Sequence, residues 1–407
     1  MRGRLACVEA NTTGTGMIAL RTAGELGLDP LFLTGKPERY QGLAESGAQV
    51  VRCDTNDAGE LLAALAPRAG DLCGVTTTSD FYVATVAELA AQLGLPGNPP
   101  EAVRLCRDKG RMRRALAKAG ARRPRFAVLH DQSETAEAVT RVGLPCVVKP
   151  VSGSGSENVR LCASQAEVRA QVAQVLSVRT NIRGQACEPA ALVEEYLDGP
   201  EFSVEMVHTG GEAVCVGIVA KTLTGRPYFV ESGHVYPAPV AKADAEAMES
   251  AVRLALAATG IQHGPTHTEV KLLSDGVAVV EINPRLAGGM IPELISLVDG
   301  LDLLEQQIRG AIGLPVTLAR RREGHAGIRF LVADRPGAVR AVSGADQVAA
   351  LPGIEQVSVS ARPGVRVGPP RSAYDRLGHV IARGRTVPEL TARLDRAVAG
   401  LHVEVGE

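Results

Sequence analysis

The residues best suited to chemistry lie on two runs in which apolar and polar residues alternate, THTEVKLL and GVAVVEINPR. Alternation on both sides of the turn sequence SDG predicts a β-hairpin. A three-residue loop with Gly276 in the left-handed conformation would place Glu269 opposite Glu281, and His267 opposite Asn283, on one face of the sheet. A two-residue loop would shift this register.

Carboxylates directly opposite each other on a sheet repel, because their Cβ atoms lie only about 5 Å apart. A divalent cation would compensate that repulsion, since Mg²⁺ is commonly held by one or two carboxylates together with substrate phosphates. We therefore predict a Mg²⁺ site at Glu269, Glu281 and Asn283, with Mn²⁺ as a substitute ion. Glu281→Ala should then abolish turnover and leave the fold intact. Two glutamates on a solvent-facing strand would have the same spacing, and this interpretation stays open.

Composition indicates the elements that must position these residues. The chain has 407 residues, 45% hydrophobic and 22% charged, which is enough for two or three domains with buried cores. The net charge is -1, and no basic run is interleaved with aromatic residues, so a nucleic-acid partner is not expected. No segment approaches the ~18 uninterrupted apolar residues of a membrane span, and we expect a cytoplasmic protein without a membrane partner.

The first part of the chain, to about residue 96, alternates short apolar runs with helical patterns, including one at residues 40–46. This order predicts βαβ units around a parallel sheet. Its first turn, NTTGTG, lacks the complete GxGxxG pattern, so a nicotinamide-dependent dehydrogenase is a remote alternative. The basic segment 101–120 predicts a single helix with most of its charges in solvent, and from about residue 324 short strands precede a closing helix.

Several segments together resemble the ATP-grasp carboxylate-amine ligases, which join a carboxylate to an amine through an acyl phosphate. In the family's order these are RDKGRMR, CVVKP, SGSGSENV, VEEYLDGPEFSVE and EINPR followed by LAGG. The resemblance implies an ATP-grasp fold of the α/β and α+β classes. It implies an N-terminal Rossmann-like parallel-sheet domain over 1–96, an ATP-grasp domain over 97–320 with a small ATP lobe at about 122–195, and a carboxylase-like C-terminal domain over 321–407.

The resemblance also implies an ATP site. Two lysines would neutralise the α- and β-phosphates, and glycine in the SGSGSENV loop would let backbone N–H groups approach phosphate oxygens. A hinge segment would hold the adenine, and a carboxylate would hold the ribose hydroxyls. Read alone, the loop and the hinge could equally be a surface loop and an ordinary strand. The implied residues are Lys109 and Lys149 for the phosphates, Ser154, Gly155 and Ser156 in the loop, Glu194, Glu195 and Leu197 in the hinge, and Glu201 for the ribose.

Within the superfamily, FVESGHVYPAPV resembles the substrate segment of bacterial L-amino acid ligases of the dipeptide-forming, bacilysin-synthetase type. The resemblance implies that Glu231 and His234 lie beside the amino-acid substrate, and that Arg285 holds the acyl phosphate and the tetrahedral intermediate. Glu231 is a candidate base for the proton of the amine, His234 is a weaker one, and the departing phosphate is the alternative. A lone histidine is usually structural, so that interpretation stays open for His234.

The predicted function is an ATP-dependent, ADP-forming ligase that joins the carboxylate of an amino acid or small acid to an amine, with small-molecule substrates. A homodimer is common among similar enzymes. GHA and GHVIARGRTVPEL resemble a C-terminal domain that carboxylases share with these ligases. A carboxylase-type enzyme using bicarbonate or a purine-pathway amine therefore remains an alternative, as does a non-catalytic nucleotide-binding protein.

Overall fold

A computed structural model describes residues 3–11 and 15–406, so residues 12–14 of the NTTGTG turn lie outside the described residues. The elements of the first part are β1 (Arg4–Val8), α1 (Thr15–Glu25), β2 (Asp29–Thr34), β3 (Gln49–Arg52), α2 (Ala58–Leu65), β4 (Leu72–Thr76) and α3 (Val83–Gln92). The strands form a parallel sheet in the order β3-β2-β1-β4, which confirms the predicted parallel sheet. The helix predicted over residues 40–46 is wrong. Left-handed Gly42 and Gly47 flank only a short 3₁₀ turn, Ala44–Ser46.

The basic segment forms two helices instead of one, α4 (Pro100–Arg107) and α5 (Lys109–Lys118). Asp108 between them has an extended backbone, and its carboxylate accepts a hydrogen bond from the backbone N–H of Arg111 at 2.9 Å. This is the N-cap geometry that aspartate favours. The break places Lys109 at the first position of α5, where its N–H donates to the carbonyl of Val151 at 2.8 Å.

A small antiparallel sheet of four strands follows. Two helices pack against it around a core of aliphatic residues. The connection between its second and third strands along the chain carries the sequence SGSGSENV. The elements are β5 (Phe126–Leu129), α6 (Thr135–Val142), β6 (Cys146–Pro150), β7 (Arg160–Cys162), α7 (Gln165–Ser177) and β8 (Ala191–Glu195). The strands pair in the order β5-β8-β6-β7.

The rest of the chain builds a large antiparallel sheet and a small one. Its elements are β9 (Glu201–Thr209), β10 (Glu212–Thr224), β11 (Val230–Tyr236), α8 (Lys242–Thr259), β12 (Gly264–Leu273), β13 (Gly276–Asn283), α9 (Ile291–Asp299), α10 (Leu303–Ala311), β14 (His325–Leu331), β15 (Gly337–Ser343), α11 (Ala345–Ala349), β16 (Ile354–Val359), β17 (Arg366–Val367), β18 (Gly378–Gly384), α12 (Val387–Ala399) and β19 (His402–Gly406). Eight strands pair in the order β13-β12-β9-β10-β11-β14-β18-β16, and β17-β15-β19 form a separate sheet. Strands from the C-terminal part thus extend the sheet that carries the hairpin.

The hairpin of β12 and β13 has the predicted pairs, although its loop differs from the prediction. Glu269 faces Glu281, and His267 faces Asn283. The loop has two residues instead of three, and Gly276 lies in the strand with φ 131°. A bulge that leaves Val280 unpaired, next to the Glu269 pair, restores the register that a two-residue loop would have shifted.

None of the helices in the described part of the chain is long and apolar enough to span a membrane. All eight cysteines are free thiols, four of them buried and four partly exposed.

Candidate active site

A cavity of about 320 Å³ lies where the parallel-sheet part, the small antiparallel sheet and the large sheet meet. Every residue that the sequence analysis assigned to a site lines this cavity, although the residues come from segments far apart in the chain. They are Lys109, Lys149, Ser154, Gly155, Ser156, Glu194, Glu195, Leu197, Glu201, Glu231, His234, Glu269, Glu281, Asn283 and Arg285.

The opposed glutamates of the hairpin each contact a lysine. The Nζ atom of Lys109 lies 3.0 Å from Glu281 Oε1, and the Nζ atom of Lys221 lies 2.5 Å from Glu269 Oε1. The repulsion within this like-charge pair predicted a metal ion, but two ammonium groups already compensate it. Lys221 was missed, although its alternating strand β10 pairs with β9 and sets it opposite Glu201.

The donor set fits a hard divalent cation. Glu269, Glu281 and the buried amide of Asn283 offer oxygen atoms on neighbouring strand positions, which is the chemistry that Mg²⁺ prefers. Within residues 3–11 and 15–406, no group of three or more His, Cys, Asp or Glu side chains is placed to hold a metal. An ion at this pair would therefore need the amide and oxygens from outside the protein, such as phosphate oxygens.

His267 adds a further charge beside this pair. Its Nδ1 atom lies 2.7 Å from Glu205 Oε1, and its Nε2 atom lies 3.4 Å from Glu269 Oε1. Burial alone would lower the pKa of His267, but the two carboxylates raise it to about 9. Burial would raise the pKa of Glu269, but the charges of Lys221 and His267 hold it well below its usual range. Glu269 is thus ionised at neutral pH, as a metal ligand must be.

Glu194 is a buried bridge between two cations. Its carboxylate accepts from Lys149 Nζ at 2.6 Å and from Arg113 Nε at 2.6 Å. Although burial would raise the pKa of Glu194, Arg113 and Lys149 lower it to about 2. Glu195 is paired with Arg125 at 3.2 Å. Any adenine contact made by these two hinge glutamates would therefore use the backbone.

Arg113 is an exception to the expectation that most charges of the basic segment are solvated. Its side chain is fully buried, and its guanidinium donates to the carbonyls of Val279 at 3.2 Å and of Val280 at 2.7 Å. Val280 is the residue that the bulge in β13 leaves unpaired. Arg113 therefore fixes the hairpin strand that carries Glu281 to helix α5.

The glycine-rich loop contacts a segment near the C-terminus. Gly155 has φ +71°, and a Cβ atom there would lie 3.1 Å from the ring of Tyr374. The backbone N–H of Ala373 donates to the Gly155 carbonyl at 2.9 Å. Both the positive φ and the close approach require glycine at this position. Sequence reasoning missed Tyr374, since nothing local marks it as a loop contact.

Arg285 is held by a carboxylate from the parallel-sheet part. Its Nε atom donates to Asp80 Oδ1 at 2.8 Å, and Arg107 contacts the other oxygen of Asp80. Burial would raise the pKa of Asp80, but the two guanidinium groups hold it well below its usual range. Asp80 was missed, although it follows β4, and the carboxyl ends of parallel strands are where ligands bind in such sheets.

Glu231 is surrounded by cations. It lies 2.6 Å from Lys221 Nζ and 2.8 Å from Nη2 of Arg376, whose guanidinium stacks 3.7 Å from the centre of the Phe330 ring. Burial would raise the pKa of Glu231, but Lys221 above all holds it well below its usual range. A carboxylate in this state is a poor proton acceptor. The lysine and the arginine beside Glu231 therefore weigh against its predicted role as a base.

His234 lies 3.8 Å from Glu231 and is fully buried. Neither of its ring nitrogens has a hydrogen-bond partner among the residues that the structure describes. Burial lowers the pKa of His234 to about 3, so the ring is neutral at physiological pH. A Cβ atom on Gly289 would lie 2.7 Å from its Nε2 atom, so the ring packs directly on the backbone after EINPR.

Comparison with known proteins agrees with this arrangement. Three family profiles match the chain, namely the ATP-grasp N-terminal domain at residues 20–97, the ATP-grasp domain at 142–293 and the L-amino acid ligase C-terminal domain 2 at 329–406. The uncharacterized protein y4rH of Sinorhizobium fredii is 32% identical over 403 residues, which cover 98% of this chain and 83% of that one.

Two further proteins show how far the likeness extends. Carnosine synthase 1 of Gallus gallus is 30% identical over 358 residues, which cover 82% of this chain but only 38% of the longer synthase. A crystal structure of the L-amino acid ligase from Bacillus licheniformis superimposes with a TM-score of 0.85 over 100% of this chain and 99% of that one, at 22% identity, and shows the same fold. The resemblance drawn from the sequence is confirmed, and the chain belongs to the ATP-grasp carboxylate-amine ligases.

Proposed function

We propose that this ligase phosphorylates the carboxylate of an amino acid with ATP and passes the acyl group to an amine, releasing ADP and phosphate. One observation carries the proposal. A single cavity collects an opposed carboxylate pair, two buried lysines beside a glycine-rich loop, and an arginine held by the buried carboxylate of Asp80. Phosphoryl transfer needs the first two groups, and activation of an amino acid needs the last.

The nucleotide would lie between the small antiparallel sheet and the hairpin. Lys109 and Lys149 would neutralise phosphates, and the backbone of Ser154, Gly155 and Ser156 would donate to their oxygens. The hinge at Glu194, Glu195 and Leu197 would hold the adenine through its backbone. Glu201, which lies 3.3 Å from Lys271, would accept from the ribose hydroxyls. Support comes from the position of all these groups around one cavity.

Glu269, Glu281 and Asn283 would hold Mg²⁺. When bound there, the ion neutralises charge on the phosphates and polarises the γ-phosphoryl group. The protein's own part is to keep Glu269 ionised, through the charges of Lys221 and His267, and to hold it opposite Glu281 through the hairpin pairing.

The amino acid to be activated would place its ammonium group beside Glu231, whose lowered pKa keeps it an anion. Arg285, fixed by Asp80, would stabilise the negative charge that develops on the acyl phosphate and the tetrahedral intermediate. The departing phosphate then accepts the proton of the attacking amine. Neutral His234 would shape the pocket beside Gly289.

The test is ATP-dependent product formation by mass spectrometry, with ADP and AMP quantified, across pairs of amino acids and small acids with and without bicarbonate. We expect ADP and a conjugate lighter by one water than the sum of its parts. Glu281→Gln should abolish both, and the exposed Glu137→Gln serves as the matched control. AMP as the product would refute an acyl phosphate, and a strict bicarbonate requirement would indicate a carboxylase-type reaction.

We also propose the division into domains at 1–96, 97–320 and 321–407, with the small ATP lobe at about 122–195. The three matched family segments support it, because each falls in one of these ranges to within a single residue. A homodimer and a cytoplasmic location stay predictions, and light scattering on the purified chain would test the first.

A further inference from the structure

One cationic side chain in the cavity differs from the rest in its charge partner. Six of the seven lysines and arginines that line the cavity have a carboxylate oxygen within 3.3 Å; these six are Lys109, Arg113, Lys149, Lys271, Arg285 and Arg376. The seventh is Arg183. Among the described residues, the carboxylate that pairs with it is that of Glu9, at 3.9 Å.

Glu9 is itself already well supplied with donors. Its carboxylate accepts from the hydroxyl groups of Thr34 at 3.0 Å and Thr55 at 2.8 Å, from the backbone N–H of Gly35 at 3.2 Å, and from the hydroxyl of Tyr40. The buried glutamate is therefore satisfied within the parallel-sheet part. It leaves the charge of Arg183 only loosely balanced.

The guanidinium of Arg183 is held in place by neutral acceptors. Its side chain is only 6% exposed, Nη1 donates to the hydroxyl of Tyr40 at 3.0 Å, and Nη2 donates to the carbonyl of Ala10 at 2.8 Å. Nε has no partner within residues 3–11 and 15–406. A buried cation without a close anion costs free energy, and a bound anion would recover it.

The backbone around Arg183 is fixed as well. The chain bends back between Thr180 and Ala186, which form an isolated antiparallel bridge. The side chain of Asn56 donates to the Arg183 carbonyl at 3.2 Å, and that of Gln185 donates to the Phe81 carbonyl at 3.1 Å. These contacts tie the bend to the parallel-sheet part, so the guanidinium is preorganised.

We propose that Arg183 binds the carboxylate of the second substrate, the one that supplies the amine. The amine substrate is then an amino acid with a free carboxylate. This inference rests on the proposed ligase function. Arg183 stacks 5.9 Å from the ring of Phe81, which follows Asp80, the residue that holds Arg285. An amino acid bound to Arg183 would thus lie on the same side of the cavity as Arg285, the residue proposed to stabilise the acyl phosphate.

The planar guanidinium suits this task, since its donors match the two oxygens of a carboxylate. A phosphate group of ATP would be an alternative anion. The position of Arg183 favours the carboxylate, because its contacts are to Ala10 and Tyr40 of the parallel-sheet part. The phosphate lysines Lys109 and Lys149 pair instead with glutamates of β13 and β8.

The experiment compares amino acids with their carboxamides as amine substrates, in the full-length enzyme and in Arg183→Met. The carboxamide keeps the amine and the side chain but lacks the negative charge. Wild type should favour the acid, and Arg183→Met should lose about 10- to 100-fold in kcat/KM with the acid while hardly changing with the carboxamide. KM for ATP and for the activated amino acid should stay within about twofold. Arg179→Met, at an exposed position before the same bend, is the matched control.

Three outcomes would overturn the proposal. Equal losses with acid and carboxamide would make Arg183 merely structural, and a rise in KM for ATP would assign it to a phosphate. Wild type that uses both amines equally would refute it without any variant. Arg183→Lys keeps the charge but loses the planar guanidinium with its paired donors, so it should show an intermediate loss of kcat/KM with the acid. This variant replaces Arg183→Met if that protein does not fold. Failure of wild type to form ADP and any conjugate would refute the ligase function instead.

Discussion

Asp80→Asn isolates the proposed task of the Asp80 carboxylate, which is to hold Arg285 in place. The substitution keeps the shape of the side chain and removes its charge. It leaves the guanidinium groups of Arg285 and Arg107, whose side chains are 13% and 16% exposed, facing each other across a neutral amide. The variant should therefore lose both stability and the fixed orientation of Arg285.

The expected magnitudes follow from the burial of these groups. Removing one partner of a buried ion pair costs about 3 to 5 kcal/mol. The amide oxygen of asparagine can still accept one hydrogen bond, and the arginines keep some solvent, so we expect about 2 to 3 kcal/mol here. Loss of a positioned donor for a developing oxyanion lowers kcat by about 10²- to 10³-fold. KM for ATP should hardly change, because the phosphate lysines do not contact Asp80.

The pH dependence of stability gives a second readout. The pKa of Asp80 is lowered in the folded protein, so its contribution is present above the unfolded value of about 3.9 and is lost as the pH falls through the folded value. The melting temperature of Asp80→Asn should lie below that of wild type at neutral pH. The difference between the two melting temperatures should become smaller only below pH about 4.

Thermal melting and steady-state kinetics with the identified substrates test both expectations for Asp80→Asn. Asp275→Asn is the control, because that carboxylate is 63% exposed and pairs with Arg122 at the surface. It should cost no more than about 1 kcal/mol and leave kcat unchanged. A destabilised Asp80→Asn enzyme with the kcat of wild type would refute the positioning role, since Arg285 would then not need its partner.

Three further predictions concern the hairpin and the loop. Glu281→Gln should abolish turnover. It should also lower the melting temperature without metal, because buried Lys109 loses its charged partner, whereas relief of a like-charge repulsion would raise it. An unchanged or higher melting temperature would contradict this. Since the pKa of His267 is raised to about 9, its contribution to stability is present below about 6.5 and lost as the pH rises through about 9. In urea unfolding with a chelator present, the free energy of unfolding of wild type should fall as the pH rises towards about 9, and that of His267→Gln should not. Gly155→Val should raise KM for ATP at least about tenfold, because a side chain there requires φ +71° and meets Tyr374; nucleotide titration tests this.

Local pattern sufficed for the parallel sheet and for the hairpin pairs, but not for residues 40–46 or for the break in the basic segment. Alternation decides which residues share a face, so the pairs of Glu269 with Glu281 and His267 with Asn283 could be predicted. The loop length was wrong, and the bulge at Val280 absorbed the difference. The position of a bulge depends on how the strand packs, here against Arg113, so no local sequence pattern predicts it.

Partners from distant segments could not be predicted. Asp80, Lys221 and Arg376 each belong to a segment whose own pattern has a sufficient local explanation, such as a turn or an alternating strand. Their contacts with Arg285 and Glu231 appear only when those segments pack together. The break at Asp108 was predictable in principle, since aspartate favours N-caps, but good helix formers on both sides favoured a continuous helix.

The opposed glutamates also show why a catalytic pair need not weaken the fold. Their repulsion pointed to a metal, yet Lys109 and Lys221 neutralise them in the protein alone. If Mg²⁺ were held by the glutamate oxygens, as proposed, Lys109 would lose Glu281 as its partner and could pair with a phosphate oxygen, whereas Lys221 would keep Glu231 at 2.6 Å. Mg²⁺ and the nucleotide would then favour each other's binding. Mg²⁺ would neutralise Glu281 when Lys109 leaves it, and a phosphate would provide the negative charge that Lys109 then lacks. Lys109 would thus stabilise the fold without ligand and the phosphates with it.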